Sequence, residues 1–122
     1  MVFDASAVLA MINGEPGADK ALSLLDDRAT VSVVNAGEIV GKLVARGIEP
    51  VQAWSALQDV DLDWIAPDPG QARRVGELGA VKNLSLADRF CIALGEARGE
   101  PIVTADRDWR HVPIRVPVEF IR

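Results

Sequence analysis

The chain opens Met1-Val2-Phe3-Asp4-Ala5-Ser6-Ala7-Val8-Leu9-Ala10-Met11-Ile12-Asn13-Gly14, and this stretch decides the fold. Met1 to Asp4 reads as a short buried strand. Ala5 to Ile12 is apolar and helix-prone, and Asn13-Gly14 stops it. A short apolar strand feeding directly into a helix is the first half of a βαβ unit. An apolar first strand is usually central in its sheet, and Asp is a poor strand former. An acid at the end of that strand therefore faces the crevice at the sheet's edge, although Asp4 can equally cap the helix that follows.

The same alternation continues along the chain. Glu15-Pro16-Gly17 starts a second helix, with Ala18, Ala21, Leu22 and Leu25 at 3–4 spacing. Ala29 to Val34 is a short β-branched strand. Asn35 can cap the next helix, whose apolar face is Ile39, Val40, Leu43 and Val44 and which Gly47 ends. Glu49-Pro50 opens a fourth helix through Trp54, Leu57 and Val60. Asp61 to Ile65 reads as a third strand, and Pro67-Asp68-Pro69-Gly70 begins a helix to about Leu78. Ser85 caps a helix to about Arg98, Ile102-Val103-Thr104 is a fourth strand, and Asp106 to Trp109 is a tight turn. The tail, Ile114 to Phe120, can add an edge strand, where its prolines are tolerated. The expectation is an α/β three-layer sandwich: a central, mostly parallel sheet of four to five strands flanked by helices, in one domain over 1–122.

Composition narrows the function. With 122 residues and 49% hydrophobic content, one core is affordable and wholesale disorder is excluded. Cys91 is the only cysteine, which excludes an internal disulfide and a Cys-rich zinc site. It lies in an apolar stretch and reads as a buried core thiol. No apolar run approaches the roughly 20 residues of a membrane span, and no basic segment precedes the first apolar residues, so a reducing, cytoplasmic setting is the default. The net charge of −5 argues against bulk electrostatic binding of nucleic acid. Ten of the 13 basic residues are nevertheless Arg, the better bidentate phosphate ligand.

Four acids stand where segments change direction: Asp4, Glu38, Asp88 and Asp106. Each has an ordinary structural reading. Asp4 can cap a helix. Glu38, read as a first-turn acid, is four residues before Lys42, the spacing of a surface pair. Asp88 follows Ser85 by three, as in a capping box, and Asp106 can be a turn acid, with Asp108 close by as the reserve candidate. Asp108 can instead cap or pair with Arg107 or Arg110. Against these readings stands the joint pattern. All four can reach one edge of one sheet, where loops converge on a single crevice. Four carboxylates there repel one another unless a cation lies between them. One or two hard divalent ions would serve, which makes the chain a candidate phosphodiester-cleaving enzyme. The lone His111 reads as a surface residue, and no serine or thiol triad can be assembled.

Val2-Phe3-Asp4-Ala5-Ser6-Ala7, Asn35-Ala36-Gly37-Glu38-Ile39, Leu84-Ser85-Leu86-Ala87-Asp88-Arg89-Phe90-Cys91 and Thr104-Ala105-Asp106-Arg107-Asp108-Trp109 occur in the order of a known family. Through them the chain resembles the PIN-domain proteins, and among these the small VapC-type toxin ribonucleases of bacterial toxin–antitoxin pairs, over essentially its whole length. The resemblance implies cleavage of single-stranded or loop RNA with Mg²⁺ or Mn²⁺ held by Asp4, Asp88, Asp106 and Glu38, Glu38 holding metal or orienting water. Ser6, Asn35, Thr104 and Asp108 would support these acids. It also implies a cognate antitoxin, laying a helix in an apolar groove, and a homodimer. Ala7, Leu9, Ala10 and Ile12, with Leu22 and Leu25, could line that groove, most of them also as core faces. Two departures stand out: Asn35 replaces the family's usual Thr or Ser, and Trp109 its usual Phe. The rival readings are a catalytically inactive PIN-like binding module and a phosphotransfer receiver domain. A receiver needs an early acidic doublet, which is missing, and a Lys ending a late strand, whereas Lys82 precedes a helix.

Overall fold

A computed structural model describes residues 1–122. Five strands form one sheet: β1 (Val2–Phe3), β2 (Thr30–Ser32), β3 (Asp63–Ile65), β4 (Ile102–Thr104) and β5 (Val118–Phe120). Six helices accompany them: α1 (Ala5–Asn13), α2 (Ala18–Leu24), α3 (Val33–Ala45), α4 (Pro50–Gln58), α5 (Pro69–Glu77) and α6 (Leu86–Arg98). Short 3-10 turns cover Leu78–Ala80 and Arg107–His111.

Every strand pairing is parallel and the strand order is β3-β2-β1-β4-β5. The chain builds outward from β1 through β2 to β3, then crosses back and builds outward on the other side. Strand order thus reverses between β1 and β4, which is where α/β sheets open a crevice at their carboxyl edge. The order also differs from the 2-1-3-4-5 arrangement of receiver-type folds, which removes the receiver reading.

Both faces of the sheet are covered at its centre, so β1, β2 and β4 are buried at every position, while the edge strands β3 and β5 are only partly buried and carry Asp63 and Glu119. Successive side chains point to opposite faces. Phe3, Val31 and Val103 enter one core with residues of α1, α3 and α4. Val2 and Ile102 enter the other with Leu78, Trp109 and the Cys91–Leu94 stretch of α6. Cys91 is fully buried there. Gly95 lets α6 lie close on β4: a Cβ at that position would come within 2.5 Å of Ile102 Cγ1.

Three local expectations shift. Strand β2 stops at Ser32 rather than Val34, and Ser32, not Asn35, caps α3 by accepting from the Val34 N–H. Ser32 is the better cap because its extended backbone (φ −67°, ψ 140°) aims a short hydroxyl at the first turn. Glu38 consequently sits in the second turn of α3, not the first. Helix α2 starts only at Ala18, because Gly17 takes φ +91°, where its missing Cβ avoids the Ile121 carbonyl. Helix α4 ends at Gln58, short of Val60.

Candidate active site

The carboxyl edge of β1 and β4 holds a cleft of about 220 Å³ lined by Asp4, Ser6, Glu38, Lys42, Asp88 and Asp106, with Ala5 and Ser85. Each acid arrives on a different element. Asp4 ends β1 and caps α1. Glu38 rises from α3, Asp88 from the first turn of α6, and Asp106 from the loop after β4. All four candidate acids therefore share one cleft.

The capping readings of three of these acids are realised as well. The Asp4 side chain caps α1 through Ser6, Asp88 and Ser85 form a reciprocal capping box, and Asp106 accepts from the Asp108 N–H at 2.9 Å. The two roles coexist because a carboxylate has two oxygens. Asp4 shows the division most sharply. Its Oδ2 accepts from the Ser6 hydroxyl at 2.6 Å and the Thr104 hydroxyl at 3.0 Å. Its Oδ1 is buried without a partner. The two hydroxyls are themselves fixed from behind, Ser6 Oγ accepting the Ala105 N–H and Thr104 Oγ1 the Asp106 N–H. The lattice ties β1 to β4 at the point where strand order reverses. It also aims the hydroxyl protons at one oxygen of Asp4 and leaves the other bare.

Asn35 has a different place from that expected of a cap. It lies inside α3, fully buried, and its amide donates to the Ala87 carbonyl at 3.2 Å and to Glu38 Oε2 at 3.4 Å. It thereby joins the helix carrying Glu38 to the turn carrying Asp88. Glu38 also meets Lys42 Nζ at 3.2 Å, the pair expected from spacing. Its side chain is only 21% exposed against 54% for Lys42, so the pair forms the rim of the cleft rather than open surface. Lys42 is the cleft's only cation, and its i+4 spacing from Glu38 was the signal for it. Asp108 lies outside the cleft, on the wall of a neighbouring one.

The electrostatics are those of crowded, partly dehydrated anions. Burial, together with repulsion from Asp88 and Glu38, pushes the Asp4 carboxyl from an ordinary 3.8 up to about 6 despite the hydrogen bonds from Ser6 and Thr104. Burial also raises Asp88, against its bonds to Ser85 and with repulsion from Glu38 and Asp106. Burial raises the Cys91 thiol well above its ordinary value, with the acids above it adding to the effect, so it is an inert neutral group.

A bare buried carboxylate oxygen among like charges suits a hard cation, and apart from the Lys42 ammonium, which is no ligand, every polar side chain lining the cleft offers oxygen. As they stand, no three acidic side chains meet closely enough to enclose an ion alone. An ion held here would therefore need water to complete its coordination.

The PIN-domain family model matches residues 1–115. The chain belongs to the PIN-domain family. Among curated relatives, this PIN domain is 27% identical to Ribonuclease VapC42 of Mycobacterium tuberculosis, over 94% of the chain and 97% of the relative, and equally to a VapC ribonuclease of Mycobacterium bovis. Its fold matches a DNA-bound VapBC complex from Salmonella typhimurium (TM-score 0.79, 16% identity, 99% and 97% coverage). It also matches the sarcin-ricin loop cleaving toxin VapC20 of Mycobacterium tuberculosis (TM-score 0.77, 16% identity, 93% and 96% coverage).

A second concavity of this PIN domain is apolar. Met11, Ile12, Leu22, Leu25, Ala56 and Val60 line about 430 Å³, with Asp59 and Asp61 beside them. Of the residues expected in a partner groove, Ile12, Leu22 and Leu25 are there. Ala7, Leu9 and Ala10 are instead core, because the same helix turns them inward against the sheet. No helix is long and apolar enough to cross a membrane.

Proposed function

We propose that this protein is a metal-dependent endoribonuclease, the toxin of a toxin–antitoxin pair, which hydrolyses RNA phosphodiesters at the cleft of Asp4, Glu38, Asp88 and Asp106. The single observation that carries the reading is the bare, buried Oδ1 of Asp4 in a cleft lined by three further carboxylates. The VapC names of the full-length relatives support the ribonuclease class, and the VapBC complexes among the structural neighbours support an antitoxin partner.

In this reading Asp4, Asp88 and Asp106 hold Mg²⁺ or Mn²⁺ directly or through water, each with the oxygen its cap leaves free. When bound, the ion acidifies a water and offsets charge growing on the phosphate oxygens. Ser6 and Thr104 hold Asp4 by Oδ2 and leave Oδ1 without a partner. Glu38, steadied by Asn35, holds metal or orients the attacking water. The cleft contains no histidine or thiol base. Attack by water rather than by the ribose 2′-hydroxyl leaves a 3′-hydroxyl and a 5′-phosphate. The apolar groove of α1, α2 and α4, rimmed by Asp59 and Asp61, suits an amphipathic antitoxin helix with basic flanks.

The test is incubation of the pure protein with RNA in Mn²⁺ and in EDTA, beside Asp88→Asn. Cleavage should need the metal and fall by at least about a hundredfold in the variant, the scale of losing a group that stabilises developing charge. Equal cleavage in EDTA, or an unimpaired variant, would leave the inactive binding module as the better description.

A further inference from the structure

Two residues beyond the carboxylate cleft, along both of its walls, the surface opens again. Ser85 and Asp106 belong to the first cleft; Asn83 and Asp108 belong to the second, about 270 Å³ in volume, with Lys82 and His111 on its sides. Two residues of extended chain span at most roughly 7 Å, so the cavities are immediate neighbours. The Asp108 N–H bonded to Asp106 Oδ1 at 2.9 Å ties their shared wall. Asn83 takes φ +59°, the one non-glycine residue in the left-handed region, and so turns the chain between Lys82 and Ser85. The volume lies just below the roughly 300–1,000 Å³ of small-ligand clefts, the scale of one nucleotide rather than of a duplex. A lysine ammonium and an imidazole ring oppose one carboxylate, Asp108. The chemistry is thus the reverse of the first cleft: a cation for phosphate and a planar ring for a base.

We infer that Lys82 and His111 form a subsite for the nucleotide next to the scissile phosphate, Lys82 contacting its phosphate and His111 its base. This rests on the nuclease reading. The acidic cleft's one cation, Lys42, is already paired with Glu38, so in a chain of net charge −5 the second cavity supplies a cationic foothold for a polyanion beside the acids rather than among them.

The experiment measures binding of short single-stranded RNA to the full chain carrying Asp88→Asn, with and without Lys82→Gln and His111→Gln. Both added positions are exposed, so the fold survives. The doubly substituted chain should bind about tenfold more weakly, the scale of one lost base stack. The slope of log affinity against log salt should shrink by about 0.7, one phosphate contact to single-stranded nucleic acid. An RNA with a single abasic nucleotide at the neighbouring position should lose affinity for the chain with Lys82 and His111 intact and lose no more for the substituted chain. Unchanged affinity and slope, or equal further losses with the abasic site at every position, would overturn the subsite. The nuclease reading fails separately, if the unsubstituted protein with Mn²⁺ cuts no RNA.

Discussion

Helix α6 carries two acids about 12 Å apart, eight residues at 1.5 Å each, and the protein treats them in opposite ways. Glu96 is clasped by Arg74, whose Nε and Nη2 reach its oxygens at 2.9–3.1 Å, with side chains only 8% and 14% exposed. Arg74 also donates to the Pro113 carbonyl, so one guanidinium ties α5, α6 and the loop before β5. Asp88, at the other end, faces Glu38 and Asp106 with no arginine near enough to pair. A buried charge with a full set of partners is structure. A half-buried charge surrounded by its own kind raises the free energy of the ion-free fold, and such an arrangement persists where a ligand relieves it.

The contrast breaks first at the paired end. Arg74→Ala leaves the largely buried Glu96 without a partner and should cost about 1.5–3 kcal/mol of unfolding free energy, the scale of hydrogen bonds to a charged group. Joint replacement, Arg74→Met with Glu96→Leu, should cost far less, because no orphan charge remains. Urea denaturation of the two variants decides the matter. A loss below about 1 kcal/mol in Arg74→Ala would make the pair an ordinary surface bridge.

At the unpaired end the sign reverses. The Asp4 carboxyl has its pKa raised from 3.8 to about 6 by folding. Between those values the folded chain binds more protons than the unfolded one, so stability falls as pH rises. The loss from Asp4 is absent below pH 3.8 and complete above pH 6, about 3 kcal/mol in all. The raised Asp88 adds in the same direction. Asp4→Asn keeps an acceptor for Ser6 and Thr104 but cannot ionise. In EDTA at pH 7 it should therefore be more stable than the parent, and the difference should vanish towards pH 4. Mn²⁺ should stabilise the parent at pH 7 and do much less for the variant. Parallel stability curves for the two proteins would mean that Asp4 is not held at the expense of the fold.

Most of the fold was legible because α/β chains write their plan in short apolar runs punctuated by caps. Met1–Ile12 and Ile102–Thr104 carry it plainly. The site was legible only jointly. Asp4, Asp88 and Asp106 each match a capping or turn pattern, and in the structure each has that role. Spacing alone cannot reveal which of two carboxylate oxygens makes the cap and which faces a cleft. The start of α3 is ambiguous in the sequence for a related reason. Ser32 and Asn35 are both good capping residues three apart, and the choice between them is made by the register of β2 against β3, a contact distant in sequence. Lys82 and His111 lay beyond reach because their nearness depends on the turn at Asn83 and on the loop after β4.

Asn35 is a buried polar group with partners on both sides of the cleft. Its amide nitrogen carries two hydrogens, one for Ala87 O and one for Glu38 Oε2, while its Oδ1 is buried unpaired. Asn35→Ala removes both bonds but also that orphan oxygen, so the net loss of stability should be only about 1 kcal/mol. The functional loss should be larger, about tenfold in Mn²⁺ affinity, as for residues that orient metal-holding groups. Asn35→Thr restores the hydroxyl usual in the family but offers one hydrogen in place of two. It can serve the Ala87 carbonyl or Glu38, not both. The threonine variant should therefore regain stability without regaining full Mn²⁺ affinity, or the reverse. Recovery of both would mean that a single bond positions Glu38, and that the link from α3 to the turn bearing Asp88 is packing rather than a hydrogen-bonded strut.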